Sequence, residues 1–117
     1  MKKQTGEWVR KAEDDYQLAA LIARGSRPFH DQLCFHCQQA AEKYLKALLQ
    51  EQGHVIPRTH SLHHLLVLLL PRNADLIVLH RGLRMMGRFA VDVRYPEFNA
   101  TKRQAAAALR WAERVRK

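Results

Sequence analysis

The side chains best suited to chemistry in this chain are imidazoles and guanidiniums. Seven His stand among twenty Lys and Arg, and Arg58 precedes His63 and His64 at short range, as Arg24 precedes His30. An imidazole can transfer a proton while a guanidinium stabilises a phosphorane-like transition state, so Arg58 and His63 are a candidate pair for phosphodiester cleavage. In so basic a chain the same pairing also arises by chance, and loop and capping roles are the default for these residues. Cys34, His36 and Cys37 suggest a metal. A closed zinc site, however, takes about four ligands, and a single CxxC supplies two. Both cysteines also fall on an apolar helical stripe, where free Cys behaves as a small hydrophobe, so burial is expected. His60, His63 and His64 can share a helix face, yet no carboxylate or fourth ligand stands beside them. No metal and no cofactor is expected.

Arg81, Arg84 and Arg88 lie within a sector of about 60° on a helix. They form either a solvated outer face or a stripe that tracks phosphates, since arginine forks match phosphate oxygens. The last helix adds Arg103, Arg110, Arg114, Arg116 and Lys117. Trp111 is the one aromatic among these arginines, so no base-stacking platform is evident.

These residues need elements to hold them. The chain has 117 residues, 47% of them apolar, which suits a single domain over residues 1–117 with a real core. Twenty Lys and Arg against eleven Asp and Glu leave a net charge of +9 and a pI of about 10.2. That excess favours an anionic partner such as RNA, a nucleotide or an acidic protein, without choosing among them. The N-terminus is basic but lacks the apolar stretch of a signal peptide. The longest apolar run, Leu65 to Leu70, is far short of the roughly twenty residues that span a bilayer. A soluble cytoplasmic protein with no membrane partner is expected, and two closely spaced cysteines on one helix suit a reducing compartment.

Helical periodicity dominates. Trp8, Ala12, Tyr16, Ala19 and Ala23 mark a first helix from about Glu7 to Arg24, broken by Gly25-Ser26-Arg27-Pro28. A second runs from about Phe29 to Gln52, with Cys34, Cys37, Ala41, Tyr44, Leu45 and Leu48 inward. Glu42 and Lys46 are expected as an exposed pair on it, and Gly53 as the left-handed residue past its end. A third helix spans about Ser61 to Leu70. Asn73 is expected to cap a fourth, with Asp75 in its first turn, the stripe Leu76, Leu79, Leu83, Met86, Ala90, and an end before Tyr95-Pro96. Gly82 and Gly87 weaken that helix by roughly 1 kcal/mol each unless close packing explains them. Thr101 and Gln104 form a capping box for a fifth helix, with Ala105, Ala108, Leu109, Ala112 and Val115 inward. The expected fold is all-α, an antiparallel up-and-down bundle of about five helices. Trp8, Tyr16, Phe35, Tyr44, Phe89 and Trp111 are more large groups than such thin helices bury, so a symmetric homodimer is expected.

Four stretches carry a family resemblance. They are Trp8 to Tyr16 (WVRKAEDDY), Asp31 to Leu49 (DQLCFHCQQAAEKYLKALL), Pro57 to Leu62 (PRTHSL) and Arg94 to Glu97 (RYPE). Together they resemble the HEPN family, the higher eukaryotes and prokaryotes nucleotide-binding domains; the second-helix block is the most specific of the four. The resemblance implies an antiparallel bundle, often homodimeric, with a polar cleft at the dimer interface. Gln38, Gln39, Glu42 and Lys43 would line that cleft, and Arg94 and Tyr95 would meet them there. The plainer alternative is an exposed helix face and a helix-ending turn.

Many members of the family are encoded beside a minimal nucleotidyltransferase as a toxin–antitoxin pair. Some are metal-independent endoribonucleases, with an Arg followed after four to six residues by a His. This chain departs there. Asn99 stands five residues after Arg94, and the last His is His80. An amide neither gains nor loses a proton near neutral pH, so the usual ribonuclease motif is missing at its usual place. Three readings follow: a homodimeric module that holds a nucleotide or RNA and partners a nucleotidyltransferase, an endoribonuclease with a non-standard Arg/His pair, and a purely structural interaction domain.

Overall fold

The structure is a computed structural model that describes residues 1–116, so Lys117 lies outside the described residues. Helix α1 spans Lys3–Arg24, α2 His30–Glu51 and α3 Leu62–Leu69. A 3₁₀ segment, Ala74–Leu79, leads into α4 (His80–Met86) and the short α5 (Phe89–Asp92), and α6 (Lys102–Arg116) closes the chain. Five helical units result, because the 3₁₀ segment, α4 and α5 together occupy the place of the expected fourth helix. The bundle is antiparallel and measures 41 × 24 × 24 Å.

Each boundary has a local cause. Helix α1 starts at Lys3, four residues before the expected Glu7. Thr5 is buried and donates its hydroxyl to Glu51 Oε1 at 3.0 Å, while the Lys2 backbone N–H reaches the same oxygen at 2.9 Å. The far end of α2 therefore holds the extra turn in place. At the other end of that hairpin Phe29 takes φ 35°, a left-handed conformation unusual outside glycine, with the Arg27 guanidinium 5.0 Å from its ring. Gly53 takes φ 83° just past α2, the position its lack of Cβ suits. Ser61 caps α3 by accepting the His64 backbone N–H at 3.2 Å. The capping box at α6 is complete: Gln104 N–H donates to Thr101 Oγ1 at 3.0 Å, and Thr101 N–H to Gln104 Oε1 at 2.9 Å.

Four expectations are corrected. Asn73 caps no following helix; its side-chain amide instead donates to the Leu69 carbonyl at 3.0 Å and so finishes α3. The expected continuous fourth helix is broken at Gly87-Arg88. There the weak helix propensity of glycine coincides with a site where a Cβ would stand 3.2 Å from the Leu83 carbonyl oxygen. The restart at α5 buries Phe89 and Ala90, with the Phe89 ring 6.2 Å from that of Phe98. Finally, Ala23 is exposed near the end of α1, and Glu42 and Lys46 are not an exposed pair. They are 3% and 6% exposed. The reason is the position of α2, which packs against α1, α3, α4, α5 and α6 and so has almost no solvated face along its middle.

The core sits around that central helix. Cys34, Cys37, Ala41, Leu45 and Leu49 of α2 meet Leu62, Leu65, Leu66 and Leu69 of α3, Leu83 and Met86 of α4, and Ala105, Ala108 and Ala112 of α6. Tyr44 and Leu48, expected inside, are half-buried. Gly82 is explained by close packing: it is buried, and Trp111 of α6 occupies the space where its Cβ would be.

Candidate functional site

The polar block of α2 divides into two sets. Gln38 and Glu42 turn toward the loop before α3. Gln38 is fully buried and donates to the His60 carbonyl at 3.3 Å, and Gln39 donates to Gln38 Oε1 at 2.7 Å. Glu42 accepts from Lys46 Nζ at 3.0 Å and meets His60 Nδ1 at 3.0 Å, with the Trp8 ring 5.4 Å from the Lys46 ammonium. A buried carboxylate so paired satisfies its desolvation, and the network clamps the loop to α2. Lys43 turns the other way, toward α1, and binds Asp15 Oδ2 at 2.5 Å.

Asp15 joins this second set to an imidazole. Its other oxygen, Oδ1, lies 2.9 Å from His36 Nδ1, and both side chains are largely but not wholly covered. His36 lines a hollow of about 240 Å³ together with Asp31, Gln32, Phe35, Val93 and Arg94. Arg94 is thus brought beside the start of α2, next to His36 and not to the Gln38–Glu42 pair, while Tyr95 is exposed in the turn after it. Asp31 accepts the Ala100 backbone N–H at 2.6 Å, tying the start of α2 to the entrance of α6.

Arg81, Arg84 and Arg88 do converge. All three are exposed and line one hollow of about 380 Å³ with Met85, Phe89, Asp92, Phe98 and Gln104. Arg88 lies in the break after α4, yet it shares the hollow, so the helical sector survives the interruption. The sequence offered no aromatic here except Trp111. In the fold Phe98, brought in by the α5–α6 connection, supplies a half-buried apolar wall, whereas Trp111 packs against Gly82 under the Arg114 guanidinium at 4.8 Å. Only Asp92 opposes the three positive charges in this hollow, and none of the three arginines forms an ion pair among the described residues.

The remaining candidates are scattered. Among the described residues Arg58 is exposed with no hydrogen bond or ion pair, and His63 packs edge-on against the His80 ring at 5.8 Å, so no polar contact joins Arg58 to His63. Cys34 and Cys37 are fully buried, and burial pushes each thiol up to about 12, which makes them inert core residues. Among the described residues no cluster of three His, Cys, Asp or Glu is placed to hold a metal. A further polar group joins three helices: Glu13 of α1 is bound by Arg116 of α6 and by the Tyr44 hydroxyl of α2. The Arg116 guanidinium, then the Tyr44 hydroxyl, hold the Glu13 carboxyl down at about 2, and burial raises the Tyr44 phenol.

The fold defines the class of the protein as a small antiparallel helical bundle. The HEPN domain family matches residues 5–117, and the chain belongs to that family. It is similar in structure to TT1696 from Thermus thermophilus, with a TM-score of 0.82 at 26% identity over 98% of this chain and 94% of the other. It is also similar to ST0689, an archaeal HEPN homologue, with a TM-score of 0.74 at 30% identity over 98% of this chain and 93% of the other. No curated protein matches the chain. No helix among the described residues is long and apolar enough to cross a membrane.

Proposed function

We propose that this HEPN domain is a binding module that holds phosphate groups of a nucleotide or RNA in the hollow formed by Arg81, Arg84 and Arg88. The observation that carries the reading is the convergence of three exposed, unpaired guanidiniums on one concave surface with a single opposing carboxylate, Asp92. Guanidinium forks recognise phosphate oxygens bidentately, and the Phe98 wall offers apolar surface for a base or sugar beside them. The hollow contains no imidazole, so it is suited to holding a phosphate and not to moving a proton. Replacing all three arginines with Gln is expected to weaken RNA binding and to flatten its dependence on salt by about 0.7 in log–log slope for each lost phosphate contact on a single strand. An unchanged slope would reduce the stripe to a solvated face.

In this reading the module acts in the cytoplasm as a symmetric homodimer and partners a minimal nucleotidyltransferase in a toxin–antitoxin-type pair. Half-buried Trp8, Phe35 and Trp111 leave apolar surface that a second copy can cover. Light scattering at micromolar concentration is expected to give twice the 13.6 kDa of the chain, and a monomer mass alone would remove the dimer.

A further inference from the structure

We propose that the hollow where the α1–α2 turn meets α6 binds a small amphipathic carboxylate, an unbranched aliphatic chain with one anionic head. The site is separate from the arginine hollow of α4 and does not depend on the phosphate-binding reading given for it.

The hollow has an apolar floor and a cationic rim. Its volume is about 600 Å³, against about 380 Å³ for the arginine hollow, and lies in the range of small-molecule sites. Ile22 at the end of α1, Leu33 of α2, and Ala105 and Leu109 of α6 form the floor. Leu33 and Ala105 are buried, and Ile22 and Leu109 are half-buried. Around them stand Arg27 of the turn, His30 of α2, and Lys102 and Arg110 of α6. The three long cations are exposed, and none of the four forms an ion pair among the described residues. No described carboxylate lines the hollow. Asp31, the acid next to His30, is turned instead to the Ala100 N–H at 2.6 Å. Arg27 is also held at the edge, since its guanidinium lies 5.0 Å from the ring of Phe29, the residue with φ 35°.

This pattern selects the chemistry of the ligand. Unpaired cations with no opposing carboxylate call for an anion, and arginine forks take the two oxygens of a carboxylate together. The floor gains free energy only when apolar area leaves water, so the anion must carry an aliphatic body. A nucleotide matches poorly. No described aromatic ring lines the hollow to stack a base, and Ser26 is the one uncharged polar side chain in the wall that could read a base edge.

The test titrates the isotope-labelled full chain with sodium octanoate at constant ionic strength and follows backbone amide shifts by NMR. Hexanoate and octylammonium serve as comparisons, the second having a tail of the same length and the opposite charge. Octanoate is expected to give saturable shifts centred on residues 22–33 and 102–110. Octylammonium is expected to give none there, and hexanoate to bind roughly 10-fold more weakly, two buried methylenes contributing about a factor of three to four each. Ala106→Trp fills the hollow from an exposed position and is expected to abolish octanoate binding while the melting temperature stays within a few degrees. Arg27→Gln, Lys102→Gln and Arg110→Gln together leave the floor intact and are expected to weaken octanoate at least 10-fold. The Gln replacements of Arg81, Arg84 and Arg88 are expected to leave it unchanged. Absence of saturable shifts, equal binding of octylammonium, equal affinity for hexanoate, or octanoate binding that survives Ala106→Trp or the triple rim variant overturns the proposal. So does a loss of dimer mass or of RNA binding in Ala106→Trp, which would assign the hollow to a second copy or to RNA.

Discussion

Replacing Gly82 with Ala isolates the contact that joins α4 to α6. Helix propensity alone makes Ala the better residue by about 1 kcal/mol. Tertiary packing opposes it. A Cβ on residue 82 would stand 2.0 Å from Trp111 Cδ2, 2.2 Å from Cε3 and 2.5 Å from Cγ. Because Cγ is the root of the indole, relief cannot come from swinging a free end; the ring must leave its place, or α6 must move away from α4. Overpacking of this kind typically costs 1–3 kcal/mol, and an overlap this deep belongs at or above the upper end. Subtracting the propensity gain leaves about 2 kcal/mol of destabilisation. For a domain of this size that is a fall in Tm of about 8 °C.

Thermal melting followed by circular dichroism measures it directly, and a second background makes the cause explicit. Trp111→Ala is itself destabilising, since it removes a large half-buried ring. In its presence the clash is gone and only the propensity gain remains, so Gly82→Ala should then raise Tm by a few degrees. The substitution therefore changes sign with the residue at position 111. A Gly82→Ala protein that melts at or above wild type, or the same loss in both backgrounds, would refute the reasoning.

Two further outcomes test the polar groups that hold the helices. Glu13 is held down from the ordinary carboxylate value of 4.5 to about 2 by Arg116 and then Tyr44. Between those values the unfolded chain binds the extra proton, so the contribution of this group is complete above pH 4.5 and is lost as pH falls toward 2. With both charges about one-third exposed, solvent screening reduces it to about 1 kcal/mol. Urea midpoints at pH 5.5 and 2.5 are expected to fall less in Glu13→Gln than in wild type, and equal falls would reject the role. Lys46→Met removes the ammonium from the buried Glu42 carboxylate, leaving only His60 beside it, and is expected to lower stability by about 3 kcal/mol, most of which returns when Glu42→Gln is added. Urea unfolding in which the double variant is no better than Lys46→Met would show that the pair is not the cause.

Much of this molecule is legible in order along the chain, because the forces concerned act over three or four residues. The Thr101–Gln104 capping box, the left-handed Gly53, the burial of Cys34 and Cys37, and the sector shared by Arg81, Arg84 and Arg88 all depend on helical geometry alone, and each stands in the structure as its spacing implies. The same local rules misplaced Glu42 and Lys46. Their order on a helix favours a solvated pair, but whether solvent reaches them depends on how many helices surround α2, and no local pattern counts neighbours.

Nor does spacing reveal that Asp15 and Lys43 meet beside His36, that Phe98 completes the arginine hollow, or that Trp111 claims the space beside Gly82. Each of those pairs is separated by a turn or an entire helix. The fourth helix breaks for a related reason: propensity marks Gly82 and Gly87 as equally weak, and packing decides which of them is tolerated. At Gly82 the indole of Trp111 rests against the helix and α4 runs through. At Gly87 the chain bends, because doing so buries Phe89 against the core, and the apolar area removed from water outweighs one uninterrupted ladder of backbone hydrogen bonds.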